Sequence, residues 1–368
     1  MTNHLHPSID LLCKLIATSS FSGEEQATAK IIADHFQQFG ITTRRYGNNI
    51  VAGITEGASD KPVVLLNSHH DTVRPYANWS SDPFLPVIDN GKITGLGSND
   101  AGGALVALIS AFIELQNENL PFHLIMVASA EEENSGFNGI ESVIPHLPEI
   151  FCGIVGEPTQ MNAAVAERGL LVVDCIAKGK PGHAARNEGE NAIVKAIHDI
   201  NWFHTFRFPL QSEWLGEVKM TNTIINAGTL HNVIPDECRF TVDIRVTDVY
   251  THESILETIK THVKSEVTPR SMRMRSSHIE VTHPLVRAIA ASGKELYGSP
   301  TTSDQALMNF PKVKIGPGDS ARSHTADEFI YIDEILKGIN DYKTILKRLS
   351  HEINVIEPKI IYPSNTVK

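Results

Sequence analysis

Three short apolar runs, residues 63–66, 122–128 and 152–156, each lead at once into residues that can bind a proton or a metal. The first, Val63-Val64-Leu65-Leu66, is too short for a helix and reads as a buried strand. It delivers Asn67-Ser68-His69-His70-Asp71-Thr72-Val73. The second delivers Glu131-Glu132-Glu133, and the third delivers Glu157 just before Pro158. Between the first two lies a small-residue apolar stretch, 101–115, which reads as a buried helix beginning at Asp100. Strands alternating with helices, with acids at the strands' carboxyl ends, predict an α/β sheet that carries its site along that edge.

A chain of 368 residues is long for one domain and comfortable for two. It can bury a large core without staples. A net charge of −11 and a pI near 5.8 argue against nucleic acid as a partner. Arg270, Arg273 and Arg275 form a basic cluster too small to track phosphates. The four cysteines (Cys13, Cys152, Cys175, Cys238) show no CxxC spacing, which fits a reducing cytoplasm better than a disulfide framework. Residues 1–6 show no basic region followed by an apolar core, so no leader is expected. No apolar run approaches membrane-spanning length, so no membrane partner is expected either.

Ser22-x-x-Glu25 reads as a capping box before a helix over 27–39, stopped by Gly40. Strands follow at 41–46 and 50–54 around Gly47-Asn48-Asn49. The middle changes character: a strand at 169–177, a helix at 191–201, strands near 221–227 and 238–246, and an amphipathic helix near 254–267. This β-α-β-β-α-β order predicts a separate α+β unit inserted into the first domain. The expected boundaries are 1–168 with 279–368 for the main domain and 169–278 for the insert. Helices at 284–297 and 332–350 complete the main domain.

His69 and Asp71 are two residues apart, so at a strand end they point the same way. A carboxylate beside an imidazole fixes the ring and leaves its other nitrogen available for a metal. Each candidate partner has a bland reading of its own. Asp100 suits an N-cap, three consecutive glutamates suit a solvated turn, Glu157 suits a turn, and His324 sits in a polar loop, 320–328. Together, two histidines and three carboxylates match a two-zinc site with one imidazole and one terminal carboxylate per metal and a shared third carboxylate. Two such ions ionise water near neutral pH and polarise a carbonyl. A second glutamate beside a ligating one then serves as general base, and Glu132-Glu133 offers both.

His69-x-Asp71, Gly97-Ser98-Asn99-Asp100-Ala101-Gly102-Gly103, Glu132-Glu133, Val155-Gly156-Glu157-Pro158, the 179–183 loop, Asn232-Val233-Ile234-Pro235-Asp236 and His324 occur in that order. This ordered set resembles the dizinc M20 amidohydrolase and peptidase family, over nearly the whole chain. The resemblance implies a mixed-sheet αβα catalytic domain with an inserted ferredoxin-like lid and dimerisation domain. It implies two Zn²⁺ ions, replaceable by Co²⁺. His69 and Glu157 would bind one, Glu133 and His324 the other, and Asp100 would bridge. Asp71 would orient His69, and Glu132, rather than Glu131 in the alternative register 131/132, would be the base. A cis peptide would follow Asp100. His183 would steady the substrate's oxyanion, in the partner subunit's site of a homodimer; Asn232 and Arg275 would contact substrate.

Within the family, Gly316-Pro317-Gly318…Ser323-His324 and the 67–73 run look most like the acetylornithine deacetylase branch. That implies hydrolysis of an N-acyl amino acid: N-acetylornithine, or N-acetyl or N-succinyl citrulline or ornithine. Succinyl-diaminopimelate desuccinylase and dipeptidase activities are the alternatives. Two readings of other classes stay open on the sequence. One is dinucleotide binding at Gly95-x-Gly97, which Asp100 at the third glycine position disfavours. The other is a zinc-binding dimer without catalysis, in which Glu132 would have no purpose.

Overall fold

The structure, a computed structural model, describes residues 5–54, 61–186 and 188–356. Met1–His4, on which part of the leader reading rests, lie outside the described residues. The chain divides into two compact units. One takes the described residues up to Val165, Ile279–Tyr297 and those from Met308 on; the other takes Ala166–His278 and Gly298–Leu307. Residues 298–307, expected with the main domain, therefore fold with the inserted unit. There Ser303 donates N–H and O–H to the Glu167 carboxylate, at 3.0 and 2.7 Å.

The first unit is built on a mixed sheet. Its strands run Thr43–Tyr46, Asn49–Ala52, His123–Ser129, Val63–His69, Cys152–Val155, Lys312–Lys314 and the first three residues of Ala163–Glu167, in spatial order. The four from His123–Ser129 to Lys312–Lys314 are mutually parallel. Every residue of Val63–His69 is buried, so both faces of the sheet are covered there, as a parallel sheet requires. The register pairs His69 with Ser129 and Asn67 with Val155, which brings the carboxyl ends of three strands level. The loops leaving these three strands must then emerge along one edge.

Helix Gly103–Leu115 packs on this sheet and on the long helix Ile332–Ile356. Its helical geometry does not begin at Asp100 as expected. Asp100 and Ala101 have non-helical backbone angles and are joined by a cis peptide. The 18 residues from Ser98 to Leu115 do have the length and mean hydropathy, 1.2, of a membrane span, contrary to the sequence expectation. They are, however, 83% buried inside the protein, as the central helix of a globular core.

The second unit carries a four-stranded antiparallel sheet in the order Lys219–Ala227, Glu237–Val246, Gly169–Lys178, Glu266–Pro269. Helices Ala192–Thr205 and His252–His262 complete the β-α-β-β-α-β order, the ferredoxin-like arrangement. The second helix is shorter than the predicted 254–267. The buried Asp199 carboxylate takes the N–H groups of Lys264 and Ser265, which ends the helix and frees 266–269 to become a strand. Likewise, the predicted helix 284–297 is Pro284–Ala290, ended at Gly293 (φ 76°), followed by the strand Leu296–Ser299.

Candidate metal centre

The parallel strands deliver the expected side chains to one place. His69 ends its strand fully buried, with Nε2 3.3 Å from Asp100 Oδ1 and 3.9 Å from both Glu157 Oε1 and Glu132 Oε2. His324 Nε2 lies 3.1 Å from Glu133 Oε2 and 3.6 Å from Asp100 Oδ2. The two oxygens of Asp100 thus face different histidines. Ligand atoms of His69, Glu132 and Glu157 lie within 4.8 Å of one another, as do those of His69, Asp100 and Glu133.

Asp71 does more than sit beside a ring. His69 Nδ1 is closest to the Asp71 backbone carbonyl, at 3.0 Å, with the carboxylate Oδ1 at 3.4 Å. The orienting contact expected of the carboxylate is therefore shared with the main chain. The carboxylate's main bonds run elsewhere: Oδ1 accepts from Glu132 N–H, and Oδ2 from Glu133 N–H, each at 3.1 Å. Ser22 Oγ donates to Oδ2 at 2.7 Å. Glu131 takes a left-handed backbone (φ 55°) and turns its carboxylate onto Asn138 N and Nδ2, at 3.1 and 2.9 Å. Glu132 and Glu133, not Glu131, therefore face the histidines.

The charges in this cluster are badly balanced. Asp71, Asp100, Glu132, Glu133 and Glu157 are five carboxylates facing two imidazoles. Burial works against a charge on His69, yet Glu132, Asp100, Asp71 and Glu157 together outweigh it and raise the ring well above its ordinary value. The hydrogen bond that the ring donates to the Glu133 carboxylate lifts His324 to about 9. A cluster that pulls protons onto both rings is one that welcomes cations. Tetrahedral zinc with bonds of about 2.0–2.2 Å places its ligand atoms roughly 3.3–3.6 Å apart, close to the separations found here. The donor set, nitrogen and carboxylate oxygen with no thiolate, suits zinc and its neighbours in the first transition row. The residues fit a pair of such ions.

A profile of the peptidase family M20/M25/M40 matches residues 65–348, most of the chain and all of these ligand candidates. The chain belongs to that family. Among the curated relatives of this M20 chain is the succinyl-diaminopimelate desuccinylase of Thioalkalivibrio sulfidiphilus (strain HL-EbGR7). It is 26% identical over 376 residues, covering 93% of this chain and 98% of the relative. A probable succinyl-diaminopimelate desuccinylase of Staphylococcus aureus (strain N315) is 25% identical, covering 91% and 95%. Solved structures share the fold. A tripeptidase from S. aureus superposes with a TM-score of 0.75 at 21% identity, covering 94% and 98%. A dinuclear metal-binding M20 peptidase from Bacillus subtilis gives 0.69 at 16%, covering 95% and 98%.

The other expected site residues of this M20 chain lie in the second unit. His183 and Asn232 belong to one small ribbon, in which His183 pairs with Val233 and Ala184 N donates to Asn232 O at 3.0 Å. Arg275 is engaged in a two-pronged pair with Glu253, at 2.6 and 3.1 Å, and Arg270 in another with Asp174. Arg270 and Arg275 are thus both paired within their own unit, and Arg275 has a structural occupation.

Three residues of consequence escaped the sequence reading. Ser22 and Glu25, expected to cap a helix, do not: helix Gln26–Gln38 has no side-chain cap. Ser22 holds Asp71, while Glu25 Oε1 accepts from Gly23 N and Glu131 N and its Oε2 from Asn48 Nδ2. Glu328, at the end of the polar loop with His324, buries its carboxylate against Gly97 N, Asn99 N and Asp100 N at 3.0, 2.8 and 2.8 Å. Burial pushes its carboxyl up to about 7. Those bonds occupy the amide donors that a dinucleotide's pyrophosphate would have needed at Gly95-x-Gly97.

Proposed function

We propose that this chain is a two-metal amidohydrolase that cleaves the amide bond of an N-acyl amino acid, releasing a carboxylate and the free amino acid. The observation that carries the reading is Asp100, whose two oxygens are divided between His69 and His324. His69 and Glu157 would hold one cation, Glu133 and His324 the other, with Asp100 common to both; zinc is the proposed ion and cobalt its substitute. When bound, such a pair polarises the scissile carbonyl and makes water nucleophilic near neutral pH. Glu132, whose carboxylate lies 3.9 Å from the His69 ring, takes the water's proton and hands it to the departing amine. Asp71 fixes both the His69 ring and the backbone of the Glu132-Glu133 pair. His183 donates to the carbonyl oxygen as negative charge builds there, and Asn232 contacts the substrate.

The proposed assembly is a homodimer joined through the inserted unit. Lys219–Ala227 is an edge strand with Ile224 and Ile225 exposed, and helix Ala192–Thr205 exposes Val194 and Ile197. Apolar side chains on an open edge favour pairing with another chain.

The proposed substrate is N-acetylornithine, or an N-acetyl or N-succinyl form of citrulline or ornithine, in arginine biosynthesis. The desuccinylase relatives favour a second reading, N-succinyl-diaminopimelate. A panel of N-acetyl and N-succinyl ornithine, citrulline and diaminopimelate, assayed with added zinc or cobalt, separates the two. Fastest turnover of an ornithine or citrulline derivative supports the first reading, and fastest turnover of succinyl-diaminopimelate the second. A protein loaded with two metals that cleaves none of them would refute both.

A further inference from the structure

We infer that Glu328 is a positioning residue: its buried carboxylate holds the turn bearing Asp100 in ligand-ready shape before any cation arrives, and ties that turn to the segment bearing His324. The inference rests on the two-metal reading above. Glu328 is only 3% exposed, and both its oxygens are used. Oε2 accepts from Gly97 N at 3.0 Å, and Oε1 from Asn99 N and Asp100 N at 2.8 Å each. A buried carboxyl group receiving three backbone N–H bonds acts as a clamp on local backbone shape, since each bond fixes the direction of one amide. It is not placed as a ligand; its oxygens are turned to the main chain.

The connection runs both ways between the two segments. Gly95 N donates to Glu328 O at 3.0 Å. Asn99 Oδ1 accepts from Asp319 N, and Asn99 Nδ2 donates to Asp319 O, both at 3.0 Å, and to Ser323 Oγ at 3.3 Å. Ser323 and His324 are neighbours, as are Asn99 and Asp100. Two metal-ligand candidates more than two hundred residues apart are thus each one residue from a shared hydrogen-bond bridge. The turn also has no slack. Gly97 sits at φ 72°, and a Cβ on Gly102 would meet Gly97 O at 2.3 Å. Glu328 therefore secures a tightly packed turn in which Gly102 has no room for a side chain.

The test compares Glu328→Gln with the unaltered protein in cation titrations and in the visible spectrum of the Co²⁺-loaded form. Gln presents an N–H where a carboxylate oxygen accepted one, so one bond becomes a donor–donor contact. We expect binding of at least one of the two cations to weaken about 10- to 100-fold and the Co²⁺ bands to shift. A residue that merely braces the core would lower thermal stability and leave the spectrum and affinities unchanged; that result would overturn the inference. A second measurement needs no variant. In the metal-free protein the amides of Gly97, Asn99 and Asp100 should be protected from hydrogen exchange, and rapid exchange there would equally overturn it. Unaltered protein that binds fewer than two cations would instead strike at the two-metal reading itself.

Discussion

Asp71 accepts the N–H of Glu132 on one oxygen and the N–H of Glu133 on the other, each at 3.1 Å. A single buried carboxylate thereby sets the backbone of two adjacent glutamates for which different roles are proposed, while its own backbone carbonyl receives the His69 ring at 3.0 Å. The site is organised around main-chain contacts as much as around side chains facing a common centre.

If Glu132 is the base, Glu132→Gln should retain both metals and lose turnover by about 100- to 10,000-fold. Metal analysis of the same preparation used for kcat decides it. Unchanged kcat would remove Glu132 from the mechanism. Turnover lost together with one metal would make it a ligand, a role its 3.9 Å approach to His69 also permits.

For Asp100→Ala the expected outcome is different: metal and activity are lost together. The two histidines lose the carboxylate they share, so neither cation keeps its full set of ligands. A variant that still holds two cations under dialysis would show that Asp100 does not bridge.

Ser22→Ala tests the support beneath Asp71. The lost bond, at 2.7 Å to a carboxylate, is worth about 1.5–3 kcal/mol. We expect a lower midpoint in chemical denaturation, and a several-fold drop in kcat at saturating metal, because Asp71 holds the Glu132-Glu133 backbone. Loss of stability with kcat intact would confine Ser22 to the fold.

The sequence disclosed the strands because each is an apolar run of strand length that stops at a cluster of acids or a histidine, and a parallel register needs little more. It also disclosed the inserted unit, since alternating strands and an amphipathic helix are local patterns. What it hid was the use of polar residues by distant partners. Ser22-x-x-Glu25 has the spacing of a capping box, but its hydroxyl bonds Asp71, 49 positions away, and Glu25 accepts from Glu131 N, 106 positions away. Glu328 looked like one more polar loop residue; its three donors lie more than 220 positions upstream. A buried carboxylate facing backbone amides leaves no mark in composition or periodicity. Arg275 has a near partner: Glu253 lies only 22 positions away but on another element, and the pair leaves both side chains about half exposed.

The histidines give a pH prediction. In metal-free protein the hydrogen bond that the ring donates to Glu133 raises His324 to about 9, helped by the charges of Glu133, Asp100 and Glu328 and opposed by burial. Its folded pKa lies above the unfolded value of about 6.5, so the protonated ring stabilises the metal-free fold. That contribution is complete below pH 6.5 and fades as pH rises through 9. A cation needs the neutral ring, so binding must expel this proton. Apparent metal affinity should therefore climb from pH 6.5 to about 9 while metal-free stability declines over the same window. Calorimetry in buffers of different ionisation enthalpy counts the protons released, and His324→Asn should release fewer. Equal release from both proteins would show that His324 is not a ligand.

The proposed sharing of His183 between subunits has a direct test. His183→Ala and Glu132→Gln proteins should each be nearly inactive alone. If His183 serves the partner's site, a reassorted dimer holding one subunit of each kind contains one complete site. There an intact Glu132 meets an intact His183 from across the interface. Random reassortment of equal amounts makes half the dimers mixed, so about a quarter of the unaltered activity should return. If each site is complete within one subunit, mixing restores nothing, because every subunit still lacks one of the two side chains. Recovery near a quarter supports both the dimer and the shared site. No recovery, with mixed dimers shown to be present by native mass spectrometry, places His183 in its own subunit's site or outside the reaction.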